Sequence, residues 1–394
     1  MRATTNDDAR LAAARSDVAP FHVMRVLDAV GARRRAGLPV LDLSAGQPST
    51  PAPAAVRAAA HAALDTDRLG YTNALGIPAL RSAIAQHYRE REGLDVAADN
   101  VVVTTGSSGG FLLSFLAAFD VGDTVVVARP GYPAYRNMLR ALGADVVELP
   151  CDASSRFQPT VAHLESLPRP PAGLVLASPA NPTGTVVARA EFAALAAWCD
   201  AHGTRLISDE IYHGITYGSP ATTAWSSGRE AVVVNSFSKY FSMTGWRIGW
   251  LLVPDALLDA VDRLTGNFTI CPPALSQHAA VAAFDAYDEL DANVARYADN
   301  RRRLLDALAE VGIDRIAPPD GAFYVYADVS RWTADSMGWA GRLLDDTGVA
   351  VVPGLDFDPV DGGKFVRMCF AGDGDDIVRA ATLMGEWLAD KPVR

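Results

Sequence analysis

From about residue 51 to 270, short β-branched runs alternate with stretches whose apolar residues recur at helical spacing. The runs are Val101–Thr105, Thr124–Ala128, Asp145–Leu149, Leu174–Ala177, Arg205–Ser208, Ala231–Asn235 and Ile248–Val253. Helical spacing marks Phe111–Phe119, Ala134–Leu142 and Arg189–Ala201. Strand, helix, strand repeated in this way predicts a largely parallel sheet covered by helices on both faces. Ahead of it, residues 1–45 read as an arm that does not fold alone, with one amphipathic helix, Phe21–Ala36, leading into a short strand and a Gly/Pro turn in LDLSAGQPS. A long charged, Leu/Ala-rich helix, Leu290–Val311, then changes the character of the chain. Beyond it GAFYVYADV, VAVVPG, KFVRMCFA and a last helix, Asp375–Leu388, read as a smaller α+β unit. The expected division is an arm at 1–45 that joins the small unit, a large unit at 46–285 and a C-terminal small unit at 286–394.

Composition narrows the class of protein. A chain of 394 residues, 49% hydrophobic and 21% charged, is expected to form two or three packed units of an ordinary soluble kind. No window approaches the ~18 uninterrupted apolar residues of a membrane span. The start, MRATTNDDAR, is polar and acidic where a secretory signal needs a basic end and an apolar run, so a cytoplasmic protein is expected. Cys151, Cys199, Cys271 and Cys369 stand far apart, with no CxxC pair and no histidine at ligand spacing, which predicts reduced thiols and no metal site. A net charge of -11 and a pI near 5.1 argue against a nucleic-acid surface, and Arg33-Arg34-Arg35 is too short a cluster to reverse that.

One compositional fact bears directly on chemistry. Only three of the 35 Lys and Arg residues are lysines: Lys239, Lys364 and Lys391. Arginine serves wherever a positive charge suffices, but its guanidinium stays protonated, whereas a desolvated lysine amine loses its proton and becomes a nucleophile. Lys364 lies in a Gly/Asp loop and Lys391 in the terminal tail, so Lys239 alone sits mid-chain among apolar residues.

In open parallel sheets ligands bind beyond the carboxyl ends of the strands, which makes polar strand ends the first suspects. VVVTT runs into Gly106-Ser107-Ser108-Gly109 and a helix, offering free N–H groups and a helix dipole to an anion; an ordinary cap reads the same way. A second strand ends in Ser178-Pro179-Ala180-Asn181-Pro182-Thr183-Gly184, a third in Asp209 and Tyr212, and a fourth in Ser236, Ser238 and Lys239, with Arg247 close behind. One crevice would then hold an amine, a carboxylate, a phenol, an amide, hydroxyls and a guanidinium. That set suits a pyridine aldehyde phosphate used as an electron sink: Lys239 for the imine, Asp209 for the ring nitrogen and Tyr212 with Asn181 for the ring oxygen. Ser107, Ser108, Ser236, Ser238 and Arg247 would serve the phosphate.

SxxNPTG, SDEIY and SFSKYFSMTGWRIGW, in this order and spacing, resemble the signature series of the class I and II aminotransferases, the aspartate aminotransferase family. The resemblance covers most of the chain, with counterparts in AGQPS, GYTNALGIPALRSAI, TTGSSGG, PGYPAY, GAFY and VRMCFA. It implies the fold type I architecture: a large domain with a mostly parallel seven-stranded sheet sandwiched by helices, plus a smaller α+β domain. It implies pyridoxal 5′-phosphate bound at Lys239, and ping-pong transfer of an amino group between an L-amino acid and a 2-oxo acid. Lys239 would act as general base then acid. Tyr132 would stack on the ring, and Arg367 would clamp the substrate α-carboxylate beside Asn181 and the backbone of Gly46. Tyr71 would reach the phosphate of a neighbouring subunit, so a homodimer with a shared active site is expected.

The same fold hosts lyases that eliminate sulfur from amino acids, which stands as the alternative reaction. Substrate choice is less legible. Some bacterial aspartate aminotransferases carry a lysine in the Gly-rich turn for the second substrate carboxylate, and Ser108 stands there instead. Phe21, Phe268 and Phe323 are the candidate pocket walls and would favour an aliphatic or aromatic amino acid, although each also reads as plain core.

Overall fold

The computed structural model describes residues 12–389 and 391–392. Seven strands make the central sheet, in the order Val101–Thr104, Gly249–Leu252, Val232–Ser236, Arg205–Asp209, Gly173–Ala177, Thr124–Arg129, Asp145–Pro150. Gly249–Leu252 runs antiparallel to both its neighbours, and the other pairings are parallel. Both faces are covered, so strands such as Val101–Thr104 and Val232–Ser236 are buried at every residue and read as unbroken apolar runs.

The helix after the first of these strands begins at Gly106 rather than Phe111 and runs to Ala118. Glycine and serine are weak helix formers, so the hydrophobic period becomes visible only once that first turn has passed. A Cβ at Gly110 would lie 3.0 Å from Leu251 and 3.3 Å from Val234, so the small residue lets the helix lie close on the sheet.

The C-terminal unit holds a three-stranded antiparallel sheet, Val352–Pro353, Phe365–Cys369 and Tyr324–Asp328 in that order. Helices Tyr287–Glu310, Ser336–Thr347 and Gly374–Ala389 accompany it. The arm is built into this unit. Its strand Leu41–Asp42 pairs in parallel with Val349–Ala350. On its helix, His22–Arg35, Val30 packs with Leu344 and Ala350, while Val23 packs with Phe157, Tyr326 and Phe357. No described helix is long and apolar enough to cross a membrane. All four cysteines are free thiols.

Candidate active site

A cavity of about 360 Å³ opens where the carboxyl ends of the central strands meet the arm and the C-terminal unit. Lys239 enters it from the turn after Val232–Ser236, and its Nζ donates to the Gly46 carbonyl at 2.6 Å. Burial, with Arg367 nearby, pulls the amine down to about 8, so it sheds its proton far more readily than a solvated lysine. Its Nζ stands 5.8 Å from the centre of the Tyr212 ring and 6.0 Å from that of Phe323.

Asp209 ends the strand Arg205–Asp209 and is 3% exposed. Tyr135 donates its hydroxyl to Oδ2, and the Ile211 amide donates to Oδ1 at 3.1 Å. Burial lifts the carboxyl to about 6; the bonds from Tyr135 and Ile211 restrain that rise. Its neighbour Glu210 is engaged elsewhere, accepting from Ser208 Oγ at 3.0 Å and the Ala224 amide at 2.8 Å. Of the two adjacent acids, Asp209 therefore serves the cavity.

Arg367, on Phe365–Cys369, is 3% exposed. Nη1 donates to Asn181 Oδ1 and Nη2 to the Ser44 carbonyl, both at 2.9 Å, while Nε has no partner among the described residues. The guanidinium lies 4.4 Å from the Tyr324 ring centre and 5.0 Å from that of Phe357. A buried guanidinium with an unused donor is suited to a carboxylate. Gly46 is required here by space, since a Cβ would come within 2.7 Å of the Tyr324 hydroxyl.

At another part of the lining, no side chain caps the helix Gly106–Ala118, and Ser107 and Ser108 border the cavity at its start. Gly106 has φ +65°, and a Cβ there would lie 2.3 Å from Arg247 Nη2, so glycine both makes the turn and admits the arginine. Free N–H groups, serine hydroxyls and a guanidinium converge here, a combination suited to an anion. Ser238 lines the cavity as well; Ser236 does not, because its hydroxyl is spent on Ser238 Oγ at 2.8 Å and the Ile248 carbonyl at 3.2 Å. Ser236 thus braces Ser238 from behind.

Tyr132 borders the cavity, edge-on to Phe21 at 5.9 Å and to Tyr135 at 5.3 Å. The Tyr212 and Tyr324 hydroxyls share a hydrogen bond of 2.7 Å. Burial holds the phenols of Tyr132, Tyr135, Tyr212 and Tyr324 above their usual range, so all four keep their protons and remain donors at neutral pH. Tyr71 is absent from this lining and 84% exposed.

Two of the aromatic walls expected from the sequence are corrected. Phe21 lines the cavity, but Phe268 is 58% exposed and outside it, and Phe323 is fully buried behind Tyr212 and Tyr297. Phe268 closes its helix and turns outward; the apolar wall comes instead from Phe21, Val23, Met24 and Leu27 of the arm, with Ile211 and Phe357. Tyr135 and Tyr324 also went unread. Tyr135 follows Tyr132 at helical spacing on an apolar stripe, and Tyr324 heads a buried strand, so both patterns read as core. The available signal was a hydroxyl on each stripe, which must find a partner when buried.

A strand-end lysine with a lowered pKa, facing a buried carboxylate and a buried arginine across one cavity of a mostly parallel α/β scaffold, suits the chemistry of amines. Residues 39–382 match the family described as aminotransferase class I and II. A valine–pyruvate aminotransferase from Mycobacterium tuberculosis is 60% identical over 95% of this chain and 98% of its own length. An aspartate/prephenate aminotransferase from Thermus thermophilus is 35% identical over 88% and 90%. The crystal structure of an aminotransferase from Mycobacterium tuberculosis superposes with a TM-score of 0.95 at 59% identity, covering 97% of this chain and all of that one. The chain belongs to the aminotransferase class I and II family. It is an enzyme that transfers an amino group between an amino acid and a 2-oxo acid.

Proposed function

We propose that the transfer uses pyridoxal 5′-phosphate held through Lys239, takes its amino group from an L-amino acid with a small aliphatic side chain, and passes it to a 2-oxo acid such as pyruvate in two ping-pong half-reactions. The observation that carries the substrate reading is the charge inventory of the cavity. Among the described residues of this chain its lining holds three cations, Lys239, Arg247 and Arg367. The first is assigned to the cofactor, the second to its phosphate and the third to the substrate α-carboxylate, which leaves none on this subunit for a second carboxylate. Ser108 supports this, standing where a lysine serves dicarboxylic substrates. The 60% identical relative is named for valine and pyruvate, which points the same way.

The residues fit the cofactor. Asp209 is a buried carboxylate for the ring nitrogen, the uncapped turn at Gly106–Ser108 with Ser238 and Arg247 meets the phosphate, and the protonated phenol of Tyr212 with the Asn181 amide meets the ring oxygen. When bound, pyridoxal phosphate supplies an electron sink for the pair released at the substrate Cα. Arg367 orients the substrate through its carboxylate, and Tyr132 and Phe21 exclude water from one side. Lys239, freed when the substrate amine takes its place and poised at about 8, would take the proton from Cα as a base and release it as an acid to the cofactor carbon on the other side of the shared nitrogen.

The assembly we propose is a homodimer in which Tyr71 completes the phosphate site of the partner. Supporting it, Tyr71 sits on segment 67–72, which packs on 271–278 through Thr72 N to Cys271 Sγ at 3.4 Å and His278 to Asp67 at 3.3 Å. Leu64, Phe268 and Ile270, just ahead of these two segments, are exposed.

The test is a half-reaction. Purified holoenzyme given L-valine without any acceptor is expected to lose its visible cofactor band and release one equivalent of 3-methyl-2-oxobutanoate per site. L-Aspartate should react far more slowly. Pyruvate and ammonia formed from cysteine at many turnovers, with the band unchanged, would reassign the chemistry to elimination.

A further inference from the structure

The helix His22–Arg35 carries four of the cavity's wall residues if Phe21, just before it, is counted, yet it has no cap of its own, because Phe21 offers no side-chain acceptor. Two of its free N–H groups are met from the other end of the chain. The amides of His22 and Val23 donate to Oδ1 and Oδ2 of Asp356, at 3.0 and 2.9 Å. Asp356 is 1% exposed, and its carboxylate faces the positive end of the helix dipole. Along residues 22–29 these are the only polar ties to the rest of the described protein.

The turn that bears Asp356 is itself held on the large sheet. Arg136 Nη2 donates to the Asp356 carbonyl at 2.7 Å, and the Gly131 amide donates to the Phe357 carbonyl at 3.1 Å. Arg129, at the end of its strand, pairs with Asp358 at 2.9 Å, both side chains nearly buried. Phe357 lies under Arg367, and Phe21 meets Tyr132 edge-on. The turn at Asp356 therefore joins the arm, through its carboxylate, to the strand end that leads to Tyr132 and to the strand pair that carries Arg367.

We propose that Asp356 is a positioning residue that latches the N-terminal helix over the cavity, and that through Phe21, Val23, Met24 and Leu27 it sets the preference for side chains larger than a methyl group. Selectivity of this kind rests on the reading that the substrate is an aliphatic amino acid; the latch itself does not. The physical reason is leverage: Met24 is 53% exposed, so the helix is only half embedded, and its end is secured by hydrogen bonds to a charge rather than by burial alone.

The experiment compares wild-type holoenzyme with Asp356→Asn, Asp356→Ala and Leu27→Ala, by amide hydrogen exchange and by steady-state kinetics with L-valine and L-alanine. Exchange at residues 22–28 should accelerate roughly tenfold or more in both Asp356 variants and stay near wild type in Leu27→Ala. In the Asp356 variants kcat/KM for L-valine should fall about tenfold, mainly through KM, while L-alanine stays within about twofold, because its methyl group does not reach the wall. Leu27→Ala should reproduce the loss of valine preference. Unchanged exchange in the Asp356 variants would overturn the latch, and faster exchange with an unchanged valine-to-alanine ratio would overturn its role in selectivity. Should Asp356→Ala fail to fold, Asp356→Asn decides, since it keeps the size and one acceptor. Wild-type enzyme indifferent to both amino acids would sink the substrate reading, while the exchange result would still judge the latch.

Discussion

Tyr135 donates its hydroxyl hydrogen to Oδ2 of Asp209 at the floor of the cavity, and so restrains the rise that burial imposes on that carboxyl. Replacing it by Phe leaves the ring and removes the donor. Asp209, already near 6, should then titrate higher. A protonated Asp209 cannot hold a ring nitrogen in its charged form, so apoenzyme carrying Tyr135→Phe should bind pyridoxal phosphate about tenfold more weakly at neutral pH. The deficit should widen toward pH 6.5 and narrow toward 8.5, where both carboxyls are ionised. Titration of cofactor binding at three pH values checks this; a deficit independent of pH would reduce Tyr135 to packing.

Arg367 supplies both planarity and charge, with Nη1 on Asn181 and Nη2 on Ser44. A lysine keeps the charge but cannot meet those two acceptors and a carboxylate together. Arg367→Lys should lower kcat/KM for every amino acid by about 10²–10³, in line with the 2–5 kcal/mol typical of a truncated buried charge pair. Cofactor affinity should be untouched. Parallel loss of both would mean that the residue supports the fold rather than the substrate.

The lowered amine of Lys239 can be read without turnover. In apoenzyme, the rate of acylation at Lys239, followed by mass spectrometry with Lys364 as the reference in the same digest, should rise with pH around a midpoint near 8. Desolvation and the Arg367 charge cause this shift, so Arg367→Lys, which keeps the charge, should leave the midpoint nearly in place. A midpoint near that of a free lysine would remove the case for an amine able to shed its proton at neutral pH.

Tyr71 is tested by mixing inactive parents. Tyr71→Ala and Lys239→Ala homodimers should each show little activity. A hybrid of the two has one site with an intact Lys239 and an intact Tyr71 from the other subunit. Activity should therefore return, toward about half of wild type in a purified hybrid. A hybrid as inactive as its parents would place Tyr71 outside the partner's site.

Much of the scaffold was legible because its signal is local. Buried parallel strands show as short unbroken apolar runs, and each run was placed to within a residue or two of the strand observed. Strand ends then drew attention to Asn181, Asp209, Ser238 and Lys239, all of which line one cavity. The beginning of the helix at Gly106 was not legible, since glycine and serine carry no hydrophobic period there. Phe268 could not be placed from the sequence, because an aromatic near a helix end gives no sign of which way it faces; within the single chain it is exposed.

By itself, then, the sequence determined the alternating α/β scaffold, the single mid-chain lysine and the polar groups at the strand ends. These follow from periodicity and from neighbours a few residues apart along the chain. Only the tertiary structure decided what surrounds them: Tyr135 beneath Asp209, Tyr324 against Tyr212, and Asp356 on the amides of residues 22 and 23. The physical reason is that a buried polar group must find a partner but carries no record of where along the chain that partner lies. His22 and Asp356 stand 334 positions apart, and it is the strand end at Arg129 and the helix bearing Arg136, holding the 354–358 turn, that bring them within 3.0 Å.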